Sequence, residues 1–459
     1  MRYDTREEME KLARRILAFS TADEARVVIR SGWTGQTRFA GSEITTSGSS
    51  EDTTVTITST IGKRRASATT NVMDDAALKR AVDTAERLAK LSPEDPELMP
   101  ELGPQQYAAV QAYDARTAEL DAEQRAAAVT RLVDAARAVD PKQDLFVAGY
   151  LEANANRAMA IANTKGLFAY HASTDVSLSN TVRTPDGTGS GWASAGAREW
   201  GRLDAAALGR RAAQKAVASR NPQAIEPGRY TVILEPQAVA DLVPLLLGAF
   251  DARSAEEGRS PFSKRGTPGA TMLGEKIADE RVTLLSDPGD AELRGQPFNG
   301  EGLPVNRRVW IESGVLKNLA YSRFWAAKKG LPESEVSGGG GFGFGGGGGG
   351  GGLKMVGGTQ TLDQLIAGTE RGVLVTHNFY IRALDPRTAS FTGLTRDGTF
   401  LIENGKVTKA LKNFRWNESP LLMLNRIEEI GQAERTAAGQ VMPSLKVRDF
   451  SFASISEAV

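Results

Sequence analysis

The stretch that decides the fold is DDAALKRAVDTAERLAK (74–90), because it returns in altered form as DAAALGRRAAQKAVASR (204–220). Setting one against the other matches Asp74 with Asp204, the two Ala-Ala-Leu triplets, and Arg80 with Arg210. Each segment opens on an acidic residue suited to a helix N-terminus and carries its basic residues further along, as the helix dipole prefers. Ala-rich helices converge easily, so the order of what precedes each copy carries the weight.

Ahead of the first copy, residues 6–19 place Met9, Leu12, Ile16 and Leu17 on one side of a helix. Four runs rich in Val, Thr and Ile follow, Glu24–Arg30, Thr37–Ile44, Thr53–Ile61 and Lys63–Thr70, broken by Gly and Ser. They read as a four-stranded meander. Ahead of the second copy, a helix over 121–139 and strands near 145–153, 157–163, 167–180 and 188–198 repeat that order. The expected N-terminal half is thus a duplicated strand-meander-plus-helix unit. Between the copies, residues 92–120 hold Pro93, Pro96, Pro100 and Pro104 and read as a connector with little packing of its own.

The Pro227-Gly228 junction marks a boundary, giving an N-terminal α+β region over 1–226 and a C-terminal one over 227–459. The latter begins with a strand at Tyr230–Leu234 and an apolar helix from 236 to about 256. Short Val-, Thr- and Phe-rich segments then alternate with turns at Asp287-Pro288, Asn299-Gly300, Asp397-Gly398 and Asn404-Gly405, of which the last two are hairpin signals. The fold class is α+β, with a mostly β, barrel-like C-terminal half. Residues 338–352, with 13 glycines and two phenylalanines, read as a flexible Gly-rich loop. A phosphate cradle would need a preceding strand, a following helix and a terminal Lys-Ser/Thr, which this tract lacks.

Composition narrows the function. A chain of 459 residues exceeds the roughly 250 to 300 residues at which single cores stop growing, so two or three domains are expected. Lys plus Arg and Asp plus Glu both total 56, leaving no net field for nucleic acid or an anionic membrane. The longest strongly apolar stretch, Leu242–Phe250, falls far short of the about 20 residues that span a bilayer. The opening MRYDTREEMEKLARRIL interleaves charges and has no signal-peptide core. With no cysteine, these features predict a cytoplasmic protein without membrane or nucleic-acid partners.

The same inventory limits the chemistry. There is no cysteine and there are only two histidines, His171 and His377, so the chain cannot build a conventional thiol or zinc site. His377 in LVTHNFYIR reads first as a half-exposed strand histidine, and His171 has no partner in sight. Asp251, Glu256 and Glu257 could do acid–base work in a cleft, but with Arg253 and Arg259 beside them they read as ordinary surface ion pairs. Ser260, Ser263 and Thr395 have no G-x-S-x-G or Ser-x-x-Lys context. The motifs GEGLP (300–304) and GLTRDGTF (393–400) put Glu301, Arg396 and Asp397 in turns, where they either face a cleft or merely set the turn.

Four stretches carry a resemblance: TRFAGSEI (37–44), GEKIADERVTLLSDP (274–288), FNGEGLPVNRRVWIESGVLKNLAYSRFWAAKKG (298–330) and DPRTASFTGLTRDGTFLIENGKV (385–407). They resemble the TldD/PmbA family, formerly called modulators of DNA gyrase, over nearly the whole chain apart from the glycine tract. In that family the TldD-type subunit resembles a zinc peptidase with a His-Glu-x-x-x-His helix and a C-terminal ligand, and the TldE (PmbA) type lacks the motif. Placing Phe262 of RSPFSK on the family's equivalent Phe puts Val243, Pro244 and Gly248 where the first His, the Glu and the second His would fall. GQAERTAAGQVMPSLKVRDFSF (431–452) offers no Cys or His for the last ligand.

The resemblance implies a TldE-like, metal-free subunit that forms a heterodimer with a TldD-like zinc-bearing partner, around a cavity where unstructured peptides are cleaved. On that reading the chain has no cofactor or catalytic residue, zinc resides in the partner, and Arg396, Asp397 and His377 contribute to substrate binding. The rivals are a standalone homodimeric peptide-binding protein and a hydrolase with an unrecognised non-metal site. Any effect on DNA gyrase would run through proteolysis and not through DNA contact.

Overall fold

The computed structural model describes residues 5–293, 295–337 and 352–456, so the Gly-rich tract lies outside the described residues except for Gly352. The chain is α+β with strands dominant, arranged on two sheets.

In the N-terminal half the elements fall in two successive runs, each opening and closing on a helix, with three strands in the first and four in the second. Its first unit is helix α1 (Arg6–Leu17), strands β1 (Glu24–Ala40), β2 (Glu43–Ile61) and β3 (Arg64–Thr70), and helix α2 (Asp75–Leu91). A short helix α3 (Ala115–Ala118) precedes the second unit, which comprises α4 (Ala122–Arg137), β4 (Phe146–Asn163), β5 (Phe168–His171), β6 (Asp175–Arg183), β7 (Ser190–Ala197) and α5 (Ala205–Ala218). The sheet order β3-β2-β1-β4-β6-β7 sets the two runs side by side, joined through the antiparallel β1–β4 pair. Both predicted caps form: Asp74 accepts from Ala77 N at 2.7 Å and Asp204 from Ala207 N at 2.9 Å.

The first meander has three strands, not four, and the expected break over 31–36 lies inside β1. A Cβ on Gly35 would come within 2.6 Å of the Arg125 guanidinium, which stacks over Trp33, so this glycine marks a close approach and not a turn. Likewise 145–153 and 157–163 merge into β4, and 167–180 divides into β5 and the start of β6.

Helices α1 and α2 close one core over Val27, Ile29, Val55 and Ile57, while α4 and α5 close a second over Phe39, Val147, Leu178 and Val182. Val27, Ile29 and Phe39 share the parity of one strand, so both helix pairs cover the same sheet face. The opposite face meets the C-terminal half: Ile161 and Ala169 cluster with Phe298, Leu303 and Ala326. The connector 92–120 packs far more than expected. Leu98, Leu102, Ala112 and Leu120 are buried, and the Tyr107 hydroxyl donates to Gly302 O at 2.7 Å. Its prolines hold an extended strap between the halves, because proline favours extended backbone without removing side-chain burial.

The C-terminal half is built on a 13-stranded sheet. It opens with β8 (Gly228–Leu234), α6 (Pro236–Leu242), a 3-10 segment over Val243–Phe250, and α7 (Ala252–Glu256). Then come β9 (Leu284–Ser286), β10 (Arg308–Glu312), β11 (Val315–Leu316), α8 (Arg323–Lys328), β12 (Lys354–Met355) and α9 (Leu362–Ala367). The remaining elements are β13 (Arg371–Val375), β14 (Asn378–Asp385), β15 (Ser390–Thr395), β16 (Thr399–Glu403), β17 (Lys406–Ala410), β18 (Phe414–Glu418), α10 (Pro420–Leu424), β19 (Ile427–Arg435) and β20 (Val441–Ile455). The path β11-β10-β9-β12-β20-β8-β13-β16-β17 is open and branches at β20 through β18 and β19; no closed barrel is found among the described residues.

Of the two hairpin signals, Asn404-Gly405 connects the paired strands β16 and β17, with φ of 50° and 73°. Asp397-Gly398 does not make a hairpin. It joins β15 to β16, which pair with other strands, so it is a corner, and that corner carries the candidate site.

Candidate functional site

The site forms where β7 of the N-terminal half meets the corner between β15 and β16. Packing on the far side of β7 sets this meeting. A Cβ at Gly191 would lie 2.2 Å from Ala212 O, so only glycine lets α5 rest directly on the strand. Alternation along β7 then turns the flanking Ser190 and Trp192 to the other face, toward the C-terminal half.

Three residues singled out from the sequence, His377, Arg396 and Asp397, come together here. The Asp397 carboxylate is 5% exposed; it accepts from Ser190 Oγ at 2.6 Å and lies 3.5 Å from His377 Nδ1 and 3.7 Å from Arg396 Nε. Burial by itself would raise the Asp397 pKa, but contact with His377, the Ser190 hydrogen bond and the nearby Arg396 charge outweigh it and hold the carboxyl below its ordinary value. Asp397 sits in left-handed backbone at φ 55°, a conformation an Asp tolerates better than most side chains. His377 lies flat on Trp192, with ring centroids 4.3 Å apart and planes within 8°. Arg396 covers Phe379 at 4.4 Å.

Ser190, Trp192 and Asp241 were not singled out in the sequence. Asp241, at the end of α6, accepts from Asn378 N and Gln237 Nε2, both at 2.8 Å. Burial raises its pKa, against the opposing pull of His377 and those hydrogen bonds. Beside this cluster, Glu235 Oε2 accepts from Lys215 Nζ at 2.7 Å and Arg211 Nη2 at 3.1 Å, while Arg211 Nη1 reaches Glu434 at 3.1 Å. These ion pairs tie α5 to the C-terminal half; burial lowers the Lys215 pKa despite Glu235.

The arrangement does not make a nucleophile. Ser190 donates to the carboxylate and not to the imidazole, so the acid stands between Ser and His, and the imidazole is not placed to take the hydroxyl proton. The other serine and threonine candidates are engaged in turns: Ser260 Oγ donates to Ala249 O, Ser263 Oγ accepts from Ser260 N, and Thr395 Oγ1 accepts from Phe414 N. Asp251 caps α7 through Ser254 N at 2.7 Å, Glu256 pairs with Lys329 at 2.5 Å, and Glu257 pairs with Arg253 and Arg259. Glu301 lies 3.6 Å from Arg323. His171, on β5, is pushed down to about 4 by burial and then by the Arg198 charge.

The segment aligned with a zinc helix has a different backbone as well as different side chains. Val243 caps the end of α6, its N–H donating to Val239 O, and starts the 3-10 run, with Pro244 lacking the N–H that an α-helix would need there. The apolar helix expected over 236–256 is therefore three short pieces. Val243 is fully buried in the core, Pro244 is partly buried, and Gly248 is exposed with open space around it. None of the three side chains has an atom that can ligate a metal, so these positions do not fit a zinc ion. Among the described residues, no group of three or more His, Asp or Glu is placed to hold a metal. No helix of the described residues is long and apolar enough to cross a membrane.

Comparison with known proteins gives matches across the chain. Residues 25–89 match the PmbA/TldA metallopeptidase domain 1, residues 116–220 its central domain, and residues 227–454 its C-terminal domain. The fold is similar to the crystal structure of TldE from Thermococcus kodakarensis, with a TM-score of 0.83, 21% identity, and coverage of 97% of this chain and 99% of that one. In sequence the chain is 26% identical over 293 residues to a metalloprotease of Methanothermobacter thermautotrophicus, covering 61% of each. It is 26% identical over 172 residues, 37% of this chain, to a metalloprotease TldD homolog of Buchnera aphidicola. The matched stretches thus span 61% and 35% of these two curated relatives. With all three domain matches falling in order along the chain, it belongs to the PmbA/TldD metallopeptidase family.

Proposed function

We propose that this chain is a TldE-like, metal-free subunit of a TldD/TldE-type metalloprotease complex that degrades or processes unstructured peptides in the cytoplasm. The observation that carries this reading is the segment at Val243–Gly248. Where the family resemblance places a zinc helix, the chain has a proline-initiated 3-10 run whose first residue is sealed in the core. Zinc would then reside in a TldD-like partner. This chain would contribute chamber wall and substrate contacts, with 1–226 and 227–459 acting as its two regions.

Arg396, Asp397 and His377 are the proposed substrate-side residues. Their support is placement: the three meet at the seam between the halves, with Arg396 stacked on the exposed Phe379 where β14 begins. An extended peptide can be held largely by backbone pairing at a free strand edge, so a subunit without catalytic groups can still add affinity.

Co-expression with a family member carrying His-Glu-x-x-x-His, followed by size exclusion and a cleavage assay on an unfolded peptide, tests this. A 1:1 complex that cleaves and is silenced by chelator is expected, with this chain alone inactive. Chelator-resistant cleavage by this chain alone would favour a non-metal hydrolase, and a stable homodimer that ignores the zinc-bearing relative would favour a standalone peptide-binding protein.

A further inference from the structure

The β14–β15 hairpin is the least integrated part of the C-terminal sheet. Among the described residues β14 pairs only with β15, and no strand pairs with its outer edge. A strand on a sheet normally buries at least one face, yet every residue of β14 from 379 to 385 is exposed or half-buried. Phe379, Tyr380 and Leu384 are 44%, 54% and 56% exposed. Three large, exposed side chains on one strand, with the Phe379 and Tyr380 rings 6.3 Å apart, mark a contact surface more than a solvated edge.

Charge says what would cover it. Arg382 stacks over Tyr380 at 4.3 Å and Arg396 over Phe379 at 4.4 Å. Among the described residues, Arg382 and Arg387 of the hairpin and Arg415 of the adjoining β18 have no carboxylate in ion-pair range, and Arg396 reaches only the buried Asp397 at 3.7 Å. The one acid of the hairpin strands, Asp385, is turned inward to cap the turn through Arg387 N and Thr388 Oγ1. Exposed Tyr and Phe under stacked arginines have the composition of an interface hot spot, with uncompensated positive charge.

We propose that the β14–β15 hairpin is the docking surface for a second, non-identical polypeptide subunit that presents an acidic face. The inference rests on the reading of this chain as one subunit of a heterodimer, and it decides between the two assemblies. A two-fold contact between identical copies centred on this hairpin would bring the positive cluster of Arg382, Arg387 and Arg396 on one copy against the same cluster on the other. A partner with its own charge pattern avoids that repulsion. Nucleic acid would match the arginines but not the exposed aliphatic Leu384, and the chain as a whole has no excess of positive charge. The bulge between Phe379 and Arg382, with Tyr380 at φ 53°, twists the edge locally and guards it against indiscriminate strand pairing.

The test uses the full chain co-expressed with a zinc-bearing family member from the same genome. Two variants are compared with wild type: Tyr380→Asn with Leu384→Ser, and Arg382→Glu with Arg387→Glu. All four sites are exposed and Asn tolerates positive φ, so both variants should melt as wild type does. Each should weaken the complex by about tenfold or more, and wild-type affinity should fall with added salt. If wild type forms the complex and both variants bind equally well, the hairpin assignment is wrong while the subunit reading stands. If wild type pairs with no zinc-bearing relative, the subunit reading fails and takes the assignment with it. Hairpin-dependent binding to single-stranded DNA in place of protein would also overturn it.

Discussion

His377 lies flat on Trp192 at 4.3 Å between ring centroids, and this stack joins the link between β13 and β14 of the C-terminal half to strand β7 of the N-terminal half. Because Asp397 also bridges from His377 toward Ser190, the aromatic contact and the Ser190 hydrogen bond brace one seam.

Stacking of this geometry is worth about 0.5–1.5 kcal/mol beyond the area it buries. A double-mutant cycle with Trp192→Leu and His377→Leu, read by denaturant unfolding, should therefore give a coupling energy of about 1 kcal/mol. Additive losses would mean that the two rings are neighbours without being partners.

Asp397 makes the same seam sensitive to acid. Its carboxyl titrates below its ordinary value in the folded chain, so the folded state favours the charged form. That stability is complete above the unfolded pKa, near 3.8, and is lost as pH falls through the lower folded value. Asp397→Asn should lower the melting temperature at neutral pH, and the gap from wild type should close on acidification below about pH 4. Asp241 works in the opposite direction, since burial raises its pKa. Asp241→Asn should therefore cost least at neutral pH, where the buried charge is a liability, although Asn378 N loses a strong acceptor. Melting curves from pH 3 to 7 separate the two, and parallel curves for Asp397→Asn and wild type would refute the linkage.

Glu235 is 5% exposed at its side chain and is the common acceptor of Lys215 and Arg211. Replacing it with Gln leaves Lys215 buried without a counter-charge, a loss of about 3 kcal/mol by analogy with other broken buried pairs. Met in place of Lys215 together with Gln at 235 should recover part of that loss, because the unpaired charge is then gone. Limited proteolysis should show the single variant cut sooner near the boundary around 220–228. Equal protection in the two variants would place the stabilisation elsewhere.

How far the sequence could be read depended on the range of the interactions. The caps of α2 and α5 and the Asn404-Gly405 hairpin were legible because each is closed within a few residues. Gly35 misled because its reason is Arg125, packed against it from a distant helix, and the connector 92–120 misled because its buried leucines answer to both halves of the molecule. Arg396, Asp397 and His377 could be picked out from turn and strand context. Ser190 and Trp192 could not, since their direction is fixed by Gly191 beneath α5 and appears only when the sheet is assembled.

Rebuilding a zinc motif in this chain tests whether its absence is a matter of side chains alone or also of the backbone. Gly248 is exposed with nothing within 4 Å of an added Cβ, so Gly248→His should be nearly neutral. Val243 is 0% exposed, and placing an imidazole there should cost about 2 kcal/mol or more through overpacking and an unsatisfied polar group. The triple variant Val243→His, Pro244→Glu, Gly248→His still lies on a 3-10 run, where about three residues per turn rotate the two imidazoles differently from an α-helix. Removing Pro244 restores an N–H to position 244, yet Val243 remains anchored among Leu242, Leu246 and Phe250 in the core. The triple variant should therefore melt earlier than wild type and retain less than one zinc per chain after dialysis. Stoichiometric zinc with unchanged stability would show that only side chains separate this segment from a metal-binding helix.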